Sequence, residues 1–89
     1  MNPAKKIDSN THEIKRAFEE LGYEFIDTHE VGKGYPDSNV RRPDWSFVMQ
    51  VEIKNGNAPY TQDEIKYMIK HPGLVKTVRS VEDVKEMFG

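Results

Sequence analysis

An α/β fold, a mixed β-sheet flanked by helices in the order α-β-β-β-α-β-α, follows from three features of the 89-residue sequence. Apolar residues recur at helical spacing between Ile14 and Leu21. Strict alternation, the mark of a strand with two unlike faces, runs from Phe47 to Lys54. Two later segments open on capping residues, Thr61 and Ser80, ahead of apolar residues at helical spacing.

The elements follow in order. Residues 1–8 are polar and expected to fray. Ile14, Ala17, Phe18 and Leu21 make one helix stripe, Gly22 stops it, and Asn10 with Glu13 reads as a capping box at its start. Tyr23 to His29 is a strand carrying Phe25 and Ile26. VGKGYPD holds two glycines and a proline, so it bends the chain into a second strand over 37–42. Pro43-Asp44-Trp45-Ser46 is the turn into the strongest strand, in which Phe47, Met49, Val51 and Ile53 point one way. Val48, Gln50, Glu52 and Lys54 point the other. Thr61 and Glu64 form a capping box, Tyr60 and Ile65 a hydrophobic staple, and Ile65, Met68 and Ile69 the buried stripe of a second helix that His71-Pro72-Gly73 ends. Leu74 to Val78 is a short strand, and Ser80 caps a last helix bearing Val81, Val84, Met87 and Phe88.

Residues 1–89 make at most one domain, since single cores usually need about 100–150 residues. The hydrophobic fraction of 36% gives a thin core, so a partner chain that buries more apolar surface is expected. The absence of cysteine excludes disulfides, thiolate zinc sites and a cysteine nucleophile. No apolar run occurs in the first thirty residues, so the expectation is a cytoplasmic chain with no signal peptide or membrane partner. A net charge of -2 argues against a general nucleic-acid binder, but the charge is uneven. Residues 33–54 form the one net-basic segment, with Lys33, Arg41, Arg42 and Lys54 against Asp37, Asp44 and Glu52.

That segment also carries the chemistry. Facing residues of an antiparallel hairpin have numbers with a constant sum, and a turn centred between Asp44 and Trp45 sets Asp37 opposite Glu52. Lys54, two residues on, projects from the same face. Opposed carboxylates destabilise a sheet unless something bridges them, and a divalent cation such as Mg²⁺ does so. With a lysine beside them to meet charge on a phosphate, the three describe metal-assisted phosphodiester hydrolysis. Asp44 is a second Pro-Asp aspartate, but it falls in the turn at the far end of the strand.

GKGYPD, fourteen intervening residues, then EIK resembles the PD-(D/E)XK nuclease motif. The Asn10–Glu13 helix start, VGKGYPD, VEIKNG, YTQDEIKYM and VRSVEDV together resemble the VRR-Nuc branch of that superfamily, over about residues 8–88. The resemblance implies a restriction-endonuclease-like fold, with Asp37, Glu52 and the backbone carbonyl of Ile53 holding Mg²⁺ or Mn²⁺. It implies that Lys54 orients the attacking water or stabilises the transition state, and that Glu13 and Gln62 lie near the active site. Stand-alone members are similar to Holliday-junction resolvases and act as homodimers, so the implied partner is branched DNA, the four-way junction first. A flap or nicking endonuclease and a non-catalytic branched-DNA-binding module are the rival expectations. Ser38 departs from the family, where an apolar residue usually follows the aspartate.

Lys33, Arg41 and Arg42 either grip DNA phosphates around this site or form a solvated basic turn. His12, His29 and His71 share no metal-ligand spacing and are expected at the surface or at helix ends. Tyr35, Tyr60 and Trp45 are expected in the core or at a dimer contact.

Overall fold

The stripe of Ile14, Ala17 and Phe18 is buried along one side of α1 (Thr11–Glu20), the first element of a computed structural model that describes residues 10–89. The fraying expected of residues 1–8 falls outside the described residues. After α1 come β1 (Glu24–Asp27), β2 (Ser38–Arg41), β3 (Met49–Ile53), α2 (Gln62–Lys70), β4 (Val75–Val78) and α3 (Val81–Phe88), the expected order. The four strands form one open mixed sheet in the order β1-β2-β3-β4, antiparallel except for the parallel pair β3–β4.

Alternation divides the sheet into two faces. Val40, Val51, Ile53 and Val78 join Ile14, Phe18, Val84 and Phe88 in the core, beneath α1 and α3. Aromatic rings close this layer edge to face, Phe18 against Phe88 at 4.9 Å and against Tyr23 at 5.7 Å between centroids. The opposite face carries Asn39, Gln50, Glu52 and Lys54, and α2 lies over it. There Tyr67 donates its hydroxyl proton to Gln50 Oε1 at 2.7 Å, and the Tyr60 and Thr77 hydroxyls share a hydrogen bond at 2.6 Å.

Several boundaries differ from expectation for physical reasons. Tyr23 leaves the sheet because its ring packs in the core and its hydroxyl donates to the Phe88 carbonyl at 2.9 Å. Strand β1 ends at Asp27 rather than His29, because Asp27 accepts from the His29 N–H and turns the chain. The β2–β3 connection is wider than a four-residue turn: the Trp45 carbonyl accepts from Arg41 Nη1, the Trp45 and Phe47 rings stack, and Phe47 and Val48 stay exposed outside β3. Even so, the register pairs Ser38 with Val51, Asn39 with Gln50 and Val40 with Met49, the constant sum expected.

Two helix starts need correction. Asn10 stands at the N-cap of α1 but makes no capping bond, so the Asn10–Glu13 capping box does not form. Its Nδ2 instead donates to the carbonyls of Lys54 and Arg79, tying together the ends of β3 and β4. The Thr61–Glu64 capping box of α2 is complete in both directions, and Ser80 caps α3 through the Asp83 N–H. The apolar stripe of α2 is not buried: Ile65 is 43% and Ile69 73% exposed. The helical period was correct and its phase was not. The sheet face below is polar, so α2 meets it with Glu64 and Tyr67 rather than with isoleucines. Tyr60, expected to staple to Ile65, faces Thr77.

Candidate active site

Asp37 is the last residue before β2, and both sides of its segment are pinned. Thr28 donates its N–H to the Asp37 carbonyl and its hydroxyl to the Pro36 carbonyl, each at 2.8 Å. The Asp37 side chain reaches across to β3, where Oδ2 accepts from the Ile53 N–H at 2.9 Å. The hairpin register that aligns Ser38 with Val51 brings Asp37 level with Glu52 on the same face. Ser38, the residue that departs from the apolar pattern, is fully buried, and its hydroxyl donates to the Val51 carbonyl. The substitution therefore leaves no unpaired hydroxyl in the core.

Glu52 and Lys54 are 3% and 7% exposed, an uncommon placement for charged residues unless they are paired. Lys54 Nζ lies 3.6 Å from Glu52 Oε2 and 2.7 Å from Glu64 Oε1. The same Glu64 oxygen accepts from the Thr61 N–H at 2.9 Å. Capping α2 and holding the lysine are thus one act, and the helix cannot shift without moving the ammonium. The Tyr60 ring stands 5.8 Å from Nζ and closes that side.

The electrostatics are uneven. Burial first, then the charge of Asp37 and the hydrogen bond and charge of Glu64, push the Glu52 carboxyl up to about 9, and Lys54 only partly offsets them. Burial also acts to raise Glu64, but hydrogen bonds from Lys54, Glu52 and the Thr61 N–H outweigh it and hold Glu64 below its ordinary value. Glu52 therefore keeps its proton at neutral pH and shares it with an ionised Glu64. Glu52 Oε2 has no hydrogen-bond partner although it is buried.

The other expected residues are spread more widely. Gln62 is exposed at the start of α2, because two residues turn a helix by roughly 200° and Glu64 occupies the inward position. Glu13 is exposed on α1, in the layer over the other sheet face, and lines a separate recess of about 410 Å³ with Asn10, Asn55 and Arg79. Arg41 lies at the far end of β2, four residues or roughly 13 Å of strand from Asp37. It pairs with Glu24 at 3.0 Å, and Arg42 sits over the Tyr23 ring. Neither reaches the carboxylates. Lys33 is exposed in the loop before Asp37, with φ of 56°. His12 is exposed, His71 ends α2, and His29 is paired with Asp27 at 2.6 Å. Trp45 packs against the core.

The residue missed from sequence was Glu64, whose capping-box role explained it fully without a second use. The visible signal was its place one turn before Tyr67 on a helix facing a polar strand. Among the described residues, no group of three or more His, Cys, Asp or Glu side chains is arranged to hold a metal ion, and no helix is long and apolar enough to cross a membrane. No family model, curated protein or solved structure matches the chain.

Proposed function

We propose that this chain is a divalent-cation-dependent endodeoxyribonuclease of restriction-endonuclease-like architecture, a homodimer acting on branched DNA and on four-way junctions first. The observation that carries the reading is one sheet face holding two level carboxylates, Asp37 and Glu52, with the buried Lys54 ammonium 3.6 Å from the second.

The donor set fits Mg²⁺ or Mn²⁺. Glu52 Oε2 is buried without a hydrogen-bond partner, and the site carries more carboxyl groups than its single lysine can balance. Asp37 and Glu52 would hold the ion. The Ile53 carbonyl would complete the set, since a strand residue directs its N–H and C=O to the same neighbour and the Ile53 N–H points to Asp37. Two carboxylates plus oxygen donors from the main chain, water and phosphate suffice for Mg²⁺. When bound, the cation would neutralise charge on the scissile phosphate as a Lewis acid.

The chain's own residues do the rest. Lys54 presents an ammonium beside the phosphate position, to orient the attacking water or meet the charge that develops on phosphorus oxygens. Glu64 fixes that ammonium and so acts as a positioning residue. Water attacks phosphorus in line, one P–O bond forms as the other breaks, and the products carry a 5′-phosphate and a 3′-hydroxyl. Two copies related by a two-fold axis would present two such faces to a symmetric junction.

A gel cleavage assay tests this with a labelled four-way junction, a flap and a linear duplex, each in Mg²⁺, Mn²⁺ or EDTA. Paired symmetric cuts in the junction, dependent on the cation and lost in Lys54→Ala and Asp37→Asn, are expected. Asp37→Asn keeps an acceptor for the Ile53 N–H, so its loss of activity with an unchanged melting temperature separates chemistry from folding. Cuts confined to the flap would change the substrate. Binding without cleavage in every cation would overturn the nuclease reading in favour of a DNA-binding module.

A further inference from the structure

Three lysines converge where loop 32–34 meets α2. The loop rests directly on the first turn of the helix: Gly34, at φ +84°, has no room for a Cβ, which would overlap the Asp63 main-chain carbonyl. This close approach creates a cleft of about 340 Å³ lined by Lys33, Asp63, Lys66, Tyr67, Lys70 and His71. Lys66 and Lys70 are four residues apart on one helix face, a like-charge spacing that destabilises a helix. Among the described residues, none of the three lysines forms an ion pair, whereas Arg41 and Lys54 do. An acidic chain that gathers unpaired lysines around one opening is arranged for an anionic ligand.

The cleft adjoins the candidate active site. Loop 32–34 runs into Asp37, and Tyr67, on the cleft wall, hydrogen-bonds Gln50, two residues before Glu52. Lys66 and Lys70 follow Glu64 on the same helix, about 3 Å and 9 Å along its axis. We propose that this cleft binds the phosphodiester backbone of a duplex DNA arm, with Lys33, Lys66 and Lys70 as the phosphate contacts that lead the strand to Asp37 and Glu52. The proposal rests on the nuclease reading for its substrate and replaces Arg41 and Arg42 as backbone contacts. Ammonium groups contact phosphates without reading bases, so binding here is independent of sequence.

The test is fluorescence anisotropy of a labelled four-way junction and a linear duplex across a salt series, with the full chain in EDTA. Lys66→Gln/Lys70→Gln is compared with Lys15→Gln/Lys85→Gln, exposed lysines of α1 and α3 whose replacement changes net charge equally. All four positions are exposed, and melting temperatures check that both variants fold. The cleft variant should lower the slope of log affinity against log salt by about 2 and weaken binding roughly 60-fold at about 0.1 M salt, for both DNAs. The control should change neither. An unchanged slope in the cleft variant, or an equal drop in the control, would overturn the proposal, as would wild-type protein that binds neither DNA. Wild-type binding with the expected slope change but no cleavage in any cation would uphold the cleft and remove the nuclease. Wild-type cleavage with an unchanged slope would do the reverse.

Discussion

The two faces of the sheet follow opposite rules. Beneath α1 and α3, Val40, Val51, Ile53 and Val78 meet Phe18, Val84 and Phe88 with almost no polar atoms, and packing alone decides the geometry. Beneath α2, Gln50, Glu52 and Lys54 meet Tyr67 and Glu64 through hydrogen bonds and ion pairs, and no residue of α2 is buried. One face supplies stability and the other supplies a charged site that costs stability to assemble, since buried ions are compensated only by well-placed partners. In this chain of 89 residues the two faces share the same strands, so the register set by the apolar side also sets the spacing of the polar side.

Two substitutions set the comparison at its widest. Phe18→Ala removes the largest fully buried side chain, and the loss should be about 3–5 kcal/mol in urea unfolding, most of the stability of a domain this small. Asp37→Asn should leave stability nearly unchanged while lowering cleavage by at least about 10³-fold. Asp44→Asn, in the exposed connection, should leave both intact. If Asp37→Asn unfolds the chain, the two faces do not divide the work as described.

A smaller effect should appear in the pH dependence. The Glu52 carboxyl is raised to about 9 in the folded chain from an ordinary value of 4.5, chiefly by burial. Between those values the folded state holds a proton that the unfolded state has released, so stability falls as pH rises through this window. Glu52→Gln mimics the protonated side chain and removes that slope. In EDTA at pH 7.5 the variant should be more stable than wild type, and the two should converge near pH 4.5. Mg²⁺ should then stabilise wild type more than the variant. A variant less stable than wild type at pH 7.5 in EDTA would mean that Glu52 is ionised and well paired.

What was legible in the sequence follows the same division. The register that sets Asp37 level with Glu52 was readable because alternation and hairpin symmetry fix it, even though the turn proved wider than four residues. Glu52 and Lys54 stood out because strands disfavour such residues. The phase of α2 was not readable: Ile65, Met68 and Ile69 satisfy the helical period as well as Glu64 and Tyr67 do, and only the polar face beneath selects between them. Arg41 and Arg42 looked like ligands of the site by sequence distance, yet the strand carries them to its far end. Glu64 was hidden by already having a local purpose.

The phase of α2 gives the most delicate test. Tyr67→Phe deletes the hydroxyl that bonds Gln50, leaves that amide oxygen half-buried without its donor, and should cost about 1 kcal/mol. Ile69 is 73% exposed, so Ile69→Ser should change stability by less than about 0.5 kcal/mol. With the phase reversed the order would invert, because a buried isoleucine is worth several times a hydrogen bond. Unfolding measured at two protein concentrations adds a further distinction. A loss in Ile69→Ser that grows with protein concentration would mean that a second copy covers the isoleucine and that two copies pair over α2. A concentration-independent loss greater than for Tyr67→Phe would instead place Ile69 inside the protomer and overturn the orientation of the helix.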